Sequence, residues 1–222
     1  MLQLETMAAL ASPTPSRARS GRRKDGAKRD AIIAAGRDLF FARGIEATTI
    51  EDIAAAAGVS KVTVYGHFGD KPTLFEACVR VEASRMEQAF LSSSPRGSAL
   101  RECLHAMGVP LLRFLFSDEI VAFDRALSGE AVRHPALVDR FFAAGPYYCR
   151  NKLAEMIAAG QQRGEVTVDD PLRAAEDLAA LWQGFLPKEL AMSHLPAPTH
   201  AEIDARVRRG IDLFMRAYAP PR

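Results

Sequence analysis

The amino-acid sequence predicts an all-α protein in which a small N-terminal helical unit precedes a larger helical one. Three observations predict it. Apolar residues recur at spacings of three and four from Ala27 almost to the end of the chain. Helix-capping residues stand at the breaks between those runs. The only β-like stretch, Glu165–Val168, is too short to seed a sheet.

In chain order, Ile32, Ile33, Leu39, Phe40 and Ile45 form the apolar stripe of a first helix over about 27–43, stopped by Gly44. Thr49, with Asp52 three residues on, caps a second helix whose buried face is Ile50, Ile53, Ala54 and Ala57. Gly58 ends it after little more than two turns. Ser60 caps a third helix that runs to about Phe68, and Asp70 caps a long fourth one reaching about Leu91. Further helices are expected over 98–116, 118–128, 135–161, 171–192 and 200–218. Asp170-Pro171 and the Thr199/Glu202 capping box open the last two.

With 222 residues, 48% of them hydrophobic, the chain supports a sizeable core, and wholesale disorder is excluded. No apolar run approaches the roughly 20 residues needed to span a bilayer, so no membrane association is expected. The first residues, MLQLETMAALASPTP, carry an acid and no basic n-region, so no secretory signal is read. Cys78, Cys103 and Cys149 are odd in number and not closely paired, which fits a reducing, cytoplasmic setting. The net charge of +2 is unevenly spread: between Ser16 and Arg29 seven basic side chains face Asp25 alone. Residues 1–26 read as a disordered basic arm, either a solvated tail or a segment that neutralises phosphates.

Two short helices joined by a Gly-containing turn form a helix-turn-helix pattern, whose second helix enters the DNA major groove. The faces of that helix fit the role. With Val64 pointing inward, Phe68 falls on nearly the same line at about 100° per residue. Val62 and Gly66 lie farthest from that line, flanked by Thr63 and His67 on one side and by Lys61 and Tyr65 on the other. Polar flanks can reach the sugar-phosphate walls while the small outermost line approaches base edges. Val62 can meet a thymine methyl, and Lys61 and Thr63 can hydrogen-bond to bases or phosphates. Gly66 costs about 1 kcal/mol of helix propensity relative to Ala, and it marks either a close approach or a fraying helix.

The stretch TTIEDIAAAAGVSKVTVYGHFGDK, residues 48–71, resembles the DNA-binding segment of the TetR family of bacterial transcriptional regulators. Thr49, Gly58, Val59, Ser60, Tyr65, His67, Phe68 and Lys71 match its motif, and the resemblance covers about residues 27–75. It implies a homodimer on a palindromic double-stranded DNA operator, with a helix-turn-helix domain at 27–73. A larger helical domain at 74–222 would then bind a small-molecule effector and dimerise. By resemblance, Thr49, Tyr65, His67 and Lys71 hold the DNA backbone, while Lys61, Val62, Thr63 and Gly66 face bases. Gly66 and Pro72 depart from the family pattern, the first at a base-facing position.

For an effector pocket the sequence offers Leu104, His105, Met107, Leu111, Arg113, Phe114, Phe123, Tyr147, Tyr148 and Trp182, a mixture of apolar walls and a few polar groups. Most such residues belong to ordinary cores. For a dimer interface it offers Leu178, Leu181 and Phe185 on one long helix, and Val207, Ile211, Phe214 and Tyr218 on the next. The alternative is that both stripes complete the core of a single protomer. Paired reading heads roughly 34–36 Å apart require two-fold symmetry.

Catalysis is not expected, because there is no phosphate loop, nucleophile elbow or HExxH, and no histidine has metal-ligand partners at suitable spacing. No cofactor or metal is therefore expected. The reading is a sequence-specific DNA-binding regulator, a repressor released by a small hydrophobic effector. The alternative is an effector-independent or thiol-redox-responsive DNA binder.

Overall fold

The structure, a computed structural model, describes residues 17–93 and 97–221. Among these residues all regular elements are helices: α1 (Arg17–Arg43), α2 (Ile50–Ala56), α3 (Lys61–Phe68), α4 (Lys71–Ser93), α5 (Leu100–Leu115), α6 (Asp118–Ala131), α7 (Pro135–Ala144), α8 (Pro146–Gln162), α9 (Pro171–Gln183), α10 (Leu186–Ala191) and α11 (His200–Ala217).

The caps read from sequence do their expected work. The Thr49 hydroxyl accepts the Asp52 N–H at 3.1 Å, and the Asp52 carboxylate accepts the Thr49 N–H at 3.2 Å, which closes a capping box on α2. Thr199 and Glu202 do the same for α11. Gly44 ends α1 at φ 81°, in the left-handed region that favours glycine.

Three boundaries differ from expectation. α1 begins at Arg17, not near Ala27, so residues 17–26 of the expected disordered arm continue the helix. Arg, Lys and Ala are good helix formers, and no proline follows Pro15 to stop them. The rest of the arm, residues 1–16, lies outside the described residues.

The helix expected over 135–161 is two, broken at Gly145-Pro146. Pro146 has no N–H to continue a helix, and a Cβ at residue 145 would lie 2.9 Å from Val79 Cγ1. The helix expected over 171–192 is also two, broken where Gly184 takes φ 53° just before Pro187. The Glu165–Val168 run forms no strand. Val166 and Val168 are buried, and the run is pinned by the Thr167 N–H donating to the Tyr218 carbonyl at 2.9 Å.

The buried residues form two cores. The first joins Ile32, Phe40, Ile53, Val64 and Phe68 of α1–α3 to Leu74 and Phe75 of α4, Phe123 and Leu127 of α6, and Leu137 of α7. The domain boundary expected between residues 73 and 74 is therefore no break in packing. Phe123 stands against Phe41 at 4.9 Å and Phe141 at 5.7 Å between ring centroids. The second core is made by α5, α8, α9, α10 and α11 around Trp182. Trp182 fits because Gly108 and Gly210 leave it room: a Cβ at either position would come within 2.9 Å of its ring. Its indole N–H donates to the Val207 carbonyl at 3.2 Å, so one buried side chain locks α9 onto α5 and α11.

Candidate nucleic-acid interface and effector cavity

α3 sits on the first core by Val64 and Phe68 and turns its opposite side outward. Val62 is 79% exposed, and a Cβ added at Gly66 would meet nothing within 4 Å. Packing within the protein thus gives no reason for glycine at 66. Tyr65 and Lys61 are exposed on one flank, the Lys61 ammonium 5.8 Å from the Tyr65 ring centroid. Lys61 also pairs with the exposed Glu51 carboxylate, a solvent-screened partner that a phosphate can replace. Ser60 caps α3: its hydroxyl accepts the Thr63 N–H at 3.1 Å and lies 2.8 Å from the Thr63 hydroxyl. Thr49 is exposed, although its hydroxyl already donates to Asp52 at 2.8 Å.

Two residues expected to grip the DNA backbone are engaged inside the protein. The Lys71 ammonium donates to the carbonyl oxygens of Ile45 at 2.8 Å and Thr48 at 3.0 Å, with that of Glu46 at 3.5 Å. An ammonium has three donors, and this one spends them on the turn between α1 and α2. His67 turns toward α1, its Nε2 3.3 Å from Asp25 Oδ1, with the side chain mostly covered. Lys71 thus fastens the α1–α2 turn, and His67 ties α3 to α1. Beside α3, Arg29 of α1, counted from sequence only within the basic run, lies over the Phe68 ring at 5.4 Å at the α1–α3 seam.

The α1–α2 turn is held from the other side too. Glu130 of α6 accepts the Glu46 N–H at 3.2 Å, and Arg133 pairs with the Glu46 carboxylate at 2.9 Å.

A cavity of about 260 Å³ lies between α4, α5 and α8, beside the second core. α4 contributes Ala83, Met86 and Glu87, and α5 contributes Met107, Pro110 and Leu111. α8 closes it with Tyr148, Cys149, Lys152 and Met156. The volume sits just below the roughly 300–1,000 Å³ of ordinary small-molecule sites. Pro110 removes one backbone donor inside α5 beside this space.

The Tyr148 hydroxyl donates to the Glu87 carboxylate, and the Lys152 ammonium lies 3.3 Å from Glu87 and 3.0 Å from Glu155. The hydrogen bond from Tyr148 holds the Glu87 carboxyl below its ordinary value, with Lys152 acting in the same direction. It raises the Tyr148 phenol correspondingly, so the proton stays on the tyrosine. Burial, then Glu87, pushes the Cys149 thiol up.

Of the ten residues expected to line a pocket, Met107, Leu111 and Tyr148 do so. Leu104 and Trp182 are fully buried in the second core, and Phe114 and Phe123 pack in the first. His105 is half-buried away from the cavity, its Nε2 2.7 Å from Asp204 of α11. Arg113 is exposed, as is Tyr147, whose ring lies 4.6 Å from the Arg150 guanidinium. The stripe positions were apolar enough, but most of them serve helix packing.

The expected dimer residues divide in the same way. Leu178, Val207, Ile211 and Phe214 are buried within the protomer and offer no face to a second copy. Tyr218 is half-buried and donates to Asp177 of α9 at 2.5 Å. Leu181 and Phe185 face outward, the latter 82% exposed, and Leu213 of α11 joins them.

Comparison with known proteins agrees with this arrangement. Residues 32–78 match the family model described as bacterial regulatory proteins, tetR family. Residues 102–220 match that of the AefR-like transcriptional repressor C-terminal domain. The regulator TcmR of Streptomyces glaucescens is 30% identical over 169 residues, covering 72% of this chain and 70% of that protein. The match to the repressor BepR of Brucella suis, at 32% identity, spans 30% of this chain and 32% of that protein. With BepR and several other curated relatives the chain thus aligns over about a third of their length or less.

A TetR-family regulator structure from Mesorhizobium loti superposes with a TM-score of 0.74 at 26% identity, covering 88% of this chain and 98% of that one. The flavonoid-responsive regulator FrrA gives 0.70 at 29%, covering 89% and 100%. Among the described residues no helix is long and apolar enough to cross a membrane. A reading helix with an exposed outer line, seated on a head whose core runs into a cavity-bearing helical body, thus stands alongside matches over both halves of the chain: the protein belongs to the TetR family of bacterial transcriptional regulators, DNA-binding proteins and not enzymes.

Proposed function

We propose that the protein is a homodimeric repressor that occupies a palindromic operator and leaves it when a small, mainly apolar effector enters the cavity between α4, α5 and α8. The observation that carries this reading is the position of α4. Its first residue, Lys71, holds the turn that opens the helix-turn-helix, and Glu87 stands in the cavity wall. Sixteen residues of helix separate them, about 24 Å at 1.5 Å per residue. A ligand that displaces the cavity end of a stiff helix displaces the reading head at the other end.

Val62 and Gly66 face base edges in this reading, with Lys61, Thr63, Tyr65, Ser60 and Thr49 along the walls of the groove. Leu181, Phe185 and Leu213 provide the apolar part of the two-fold contact, which sets the spacing of the two heads. The protein works in the cytoplasm, where its operator is.

The thiol-responsive alternative finds little support at Cys78 and Cys149. Cys78 is fully buried, its Sγ 3.4 Å from the Ile33 carbonyl, and burial pushes its thiol up to about 12. Cys149 is shifted in the same direction, away from a reactive thiolate.

The test is to isolate the bound sequence from random duplex DNA by repeated selection and to measure affinity at fixed salt. A selected inverted repeat, bound far more tightly than scrambled duplex, is the expected outcome. A uniform affinity for all duplexes overturns the reading.

A further inference from the structure

The cavity has an apolar interior and a charged mouth, and the mouth already holds a cation. Its charged lining is Glu87, Lys152 and Glu155, two carboxylates for one ammonium. The Lys152 ammonium sits 5.7 Å from the Tyr148 ring centroid and 3.3 Å from the Glu87 carboxylate. An aromatic face beside a carboxylate is the arrangement that binds organic ammonium groups. Lys152 has a second carboxylate, Glu155, at 3.0 Å, so it can leave Glu87 without losing an anionic partner. Behind this seat stand Met86, Met107 and Met156, whose unbranched thioethers adapt to varied apolar shapes. An anionic ligand would meet two carboxylates at the same entrance.

The geometry points to a lipophilic monocation as the ligand class of this cavity. An alkyl- or arylammonium head takes the place of Lys152 on Glu87 and Tyr148, and its apolar body lies among the methionines. This rests on the reading of the cavity as the effector site. It also supplies the trigger, because Glu87 is on α4 while Lys152 is on α8. An ammonium from outside the chain replaces the Lys152–Glu87 ion pair between the helices, leaving the Tyr148 hydrogen bond as their remaining tie at this point, and keeps the charge of Glu87 matched.

Three probes of similar shape and different charge test it by titration calorimetry on the full chain: naphthylethylammonium, propylnaphthalene and naphthylpropanoate. The ammonium is expected to bind about tenfold more tightly than the neutral probe, the worth of one hydrogen bond to a charged group, with the propanoate weakest. In Glu87→Gln the ammonium loses that advantage while propylnaphthalene binds as before. In Lys152→Met the ammonium binds more tightly than to the unaltered chain, because its internal competitor is gone. A merely structural Lys152 would not give that gain.

Equal binding of the three, tightest binding of the propanoate, no binding by any, or weaker ammonium binding in Lys152→Met each overturns the cation seat. Operator occupancy followed in the same titration separates the two proposals. Ammonium binding without release leaves the seat intact and sinks the release mechanism, while release by the neutral or anionic probe at a lower concentration than the ammonium needs does the reverse.

Discussion

The ammonium of Lys71 lies 2.8 Å from the carbonyl oxygen of Ile45, so the first residue of α4 fastens the turn between α1 and α2. This contact changes what removal of the lysine should do. Lys71→Met leaves the carbonyls of Ile45 and Thr48 without their donor, destabilises the head and weakens operator binding. The salt dependence should stay as it was. A lysine on a DNA phosphate would instead lower the log–log salt slope by about 0.9. Binding isotherms at several salt concentrations decide between the two.

Gly66→Ala should separate stability from function. The added methyl meets nothing in the protein, so the helix gains up to about 1 kcal/mol and the melting temperature rises by about 2–4 °C. Operator affinity should fall or its base preference change, since the backbone at 66 can no longer approach the groove floor. Melting curves and selection from random duplexes read the two effects independently.

Gly210→Ala should act in the opposite direction. Its Cβ would fall 2.5 Å from Trp182 Cδ1, inside a locked contact of α9 and α11. Overpacking of this kind costs about 1–3 kcal/mol, to be read as a lower denaturation midpoint with unchanged DNA sequence preference.

Phe185→Glu and Leu178→Ala, seven residues apart in sequence, should fail differently. Phe185 is 82% exposed, so a charge there should shift sedimentation toward the monomer while helicity and melting of the protomer persist. Leu178 is fully buried, and truncating it should cost about 2–5 kcal/mol of folding stability through loss of core.

Cys78 supplies a prediction in alkaline solution. Its thiol titrates at about 12 in the folded chain against an ordinary 9.0, so its contribution to stability is complete below the ordinary value and is lost as pH rises toward 12. Chemical denaturation at several alkaline pH values should show that decline, and in Cys78→Ala it should be shallower. Iodoacetamide at neutral pH should leave Cys78 of the folded protein unmodified.

The reading helix was legible in the sequence because its function depends on local spacing. Once Val64 is placed inward, helical geometry puts Val62 and Gly66 outside, and the structure agrees. The roles of Lys71 and His67 were not legible. Their partners, Ile45 and Asp25, lie 26 and 42 residues away in sequence, and no periodicity announces a lysine bonded to carbonyls. The breaks at Gly145 and Gly184 carried a signal, glycine followed closely by proline, which the continuing apolar stripes on either side masked. Trp182 shows why pocket residues resist sequence reading. A large aromatic looks the same whether it lines a void or fills one, and only the two glycines opposite it decide. Glu87 and Lys152, charged residues on long amphipathic helices, read as solvent-facing until α4 and α8 are seen to meet.

The continuity of the first core through α1–α4, α6 and α7 bears on how such regulators can be recombined. A graft that exchanges reading heads at residue 73 would cut Phe40 and Ile53 away from Phe75 and Phe123, leaving a raw apolar surface on each fragment. A transplant that keeps the donor's α6 and α7 facing its own head carries the complete interior with it. The natural unit of exchange in this chain is therefore larger than its DNA-binding motif.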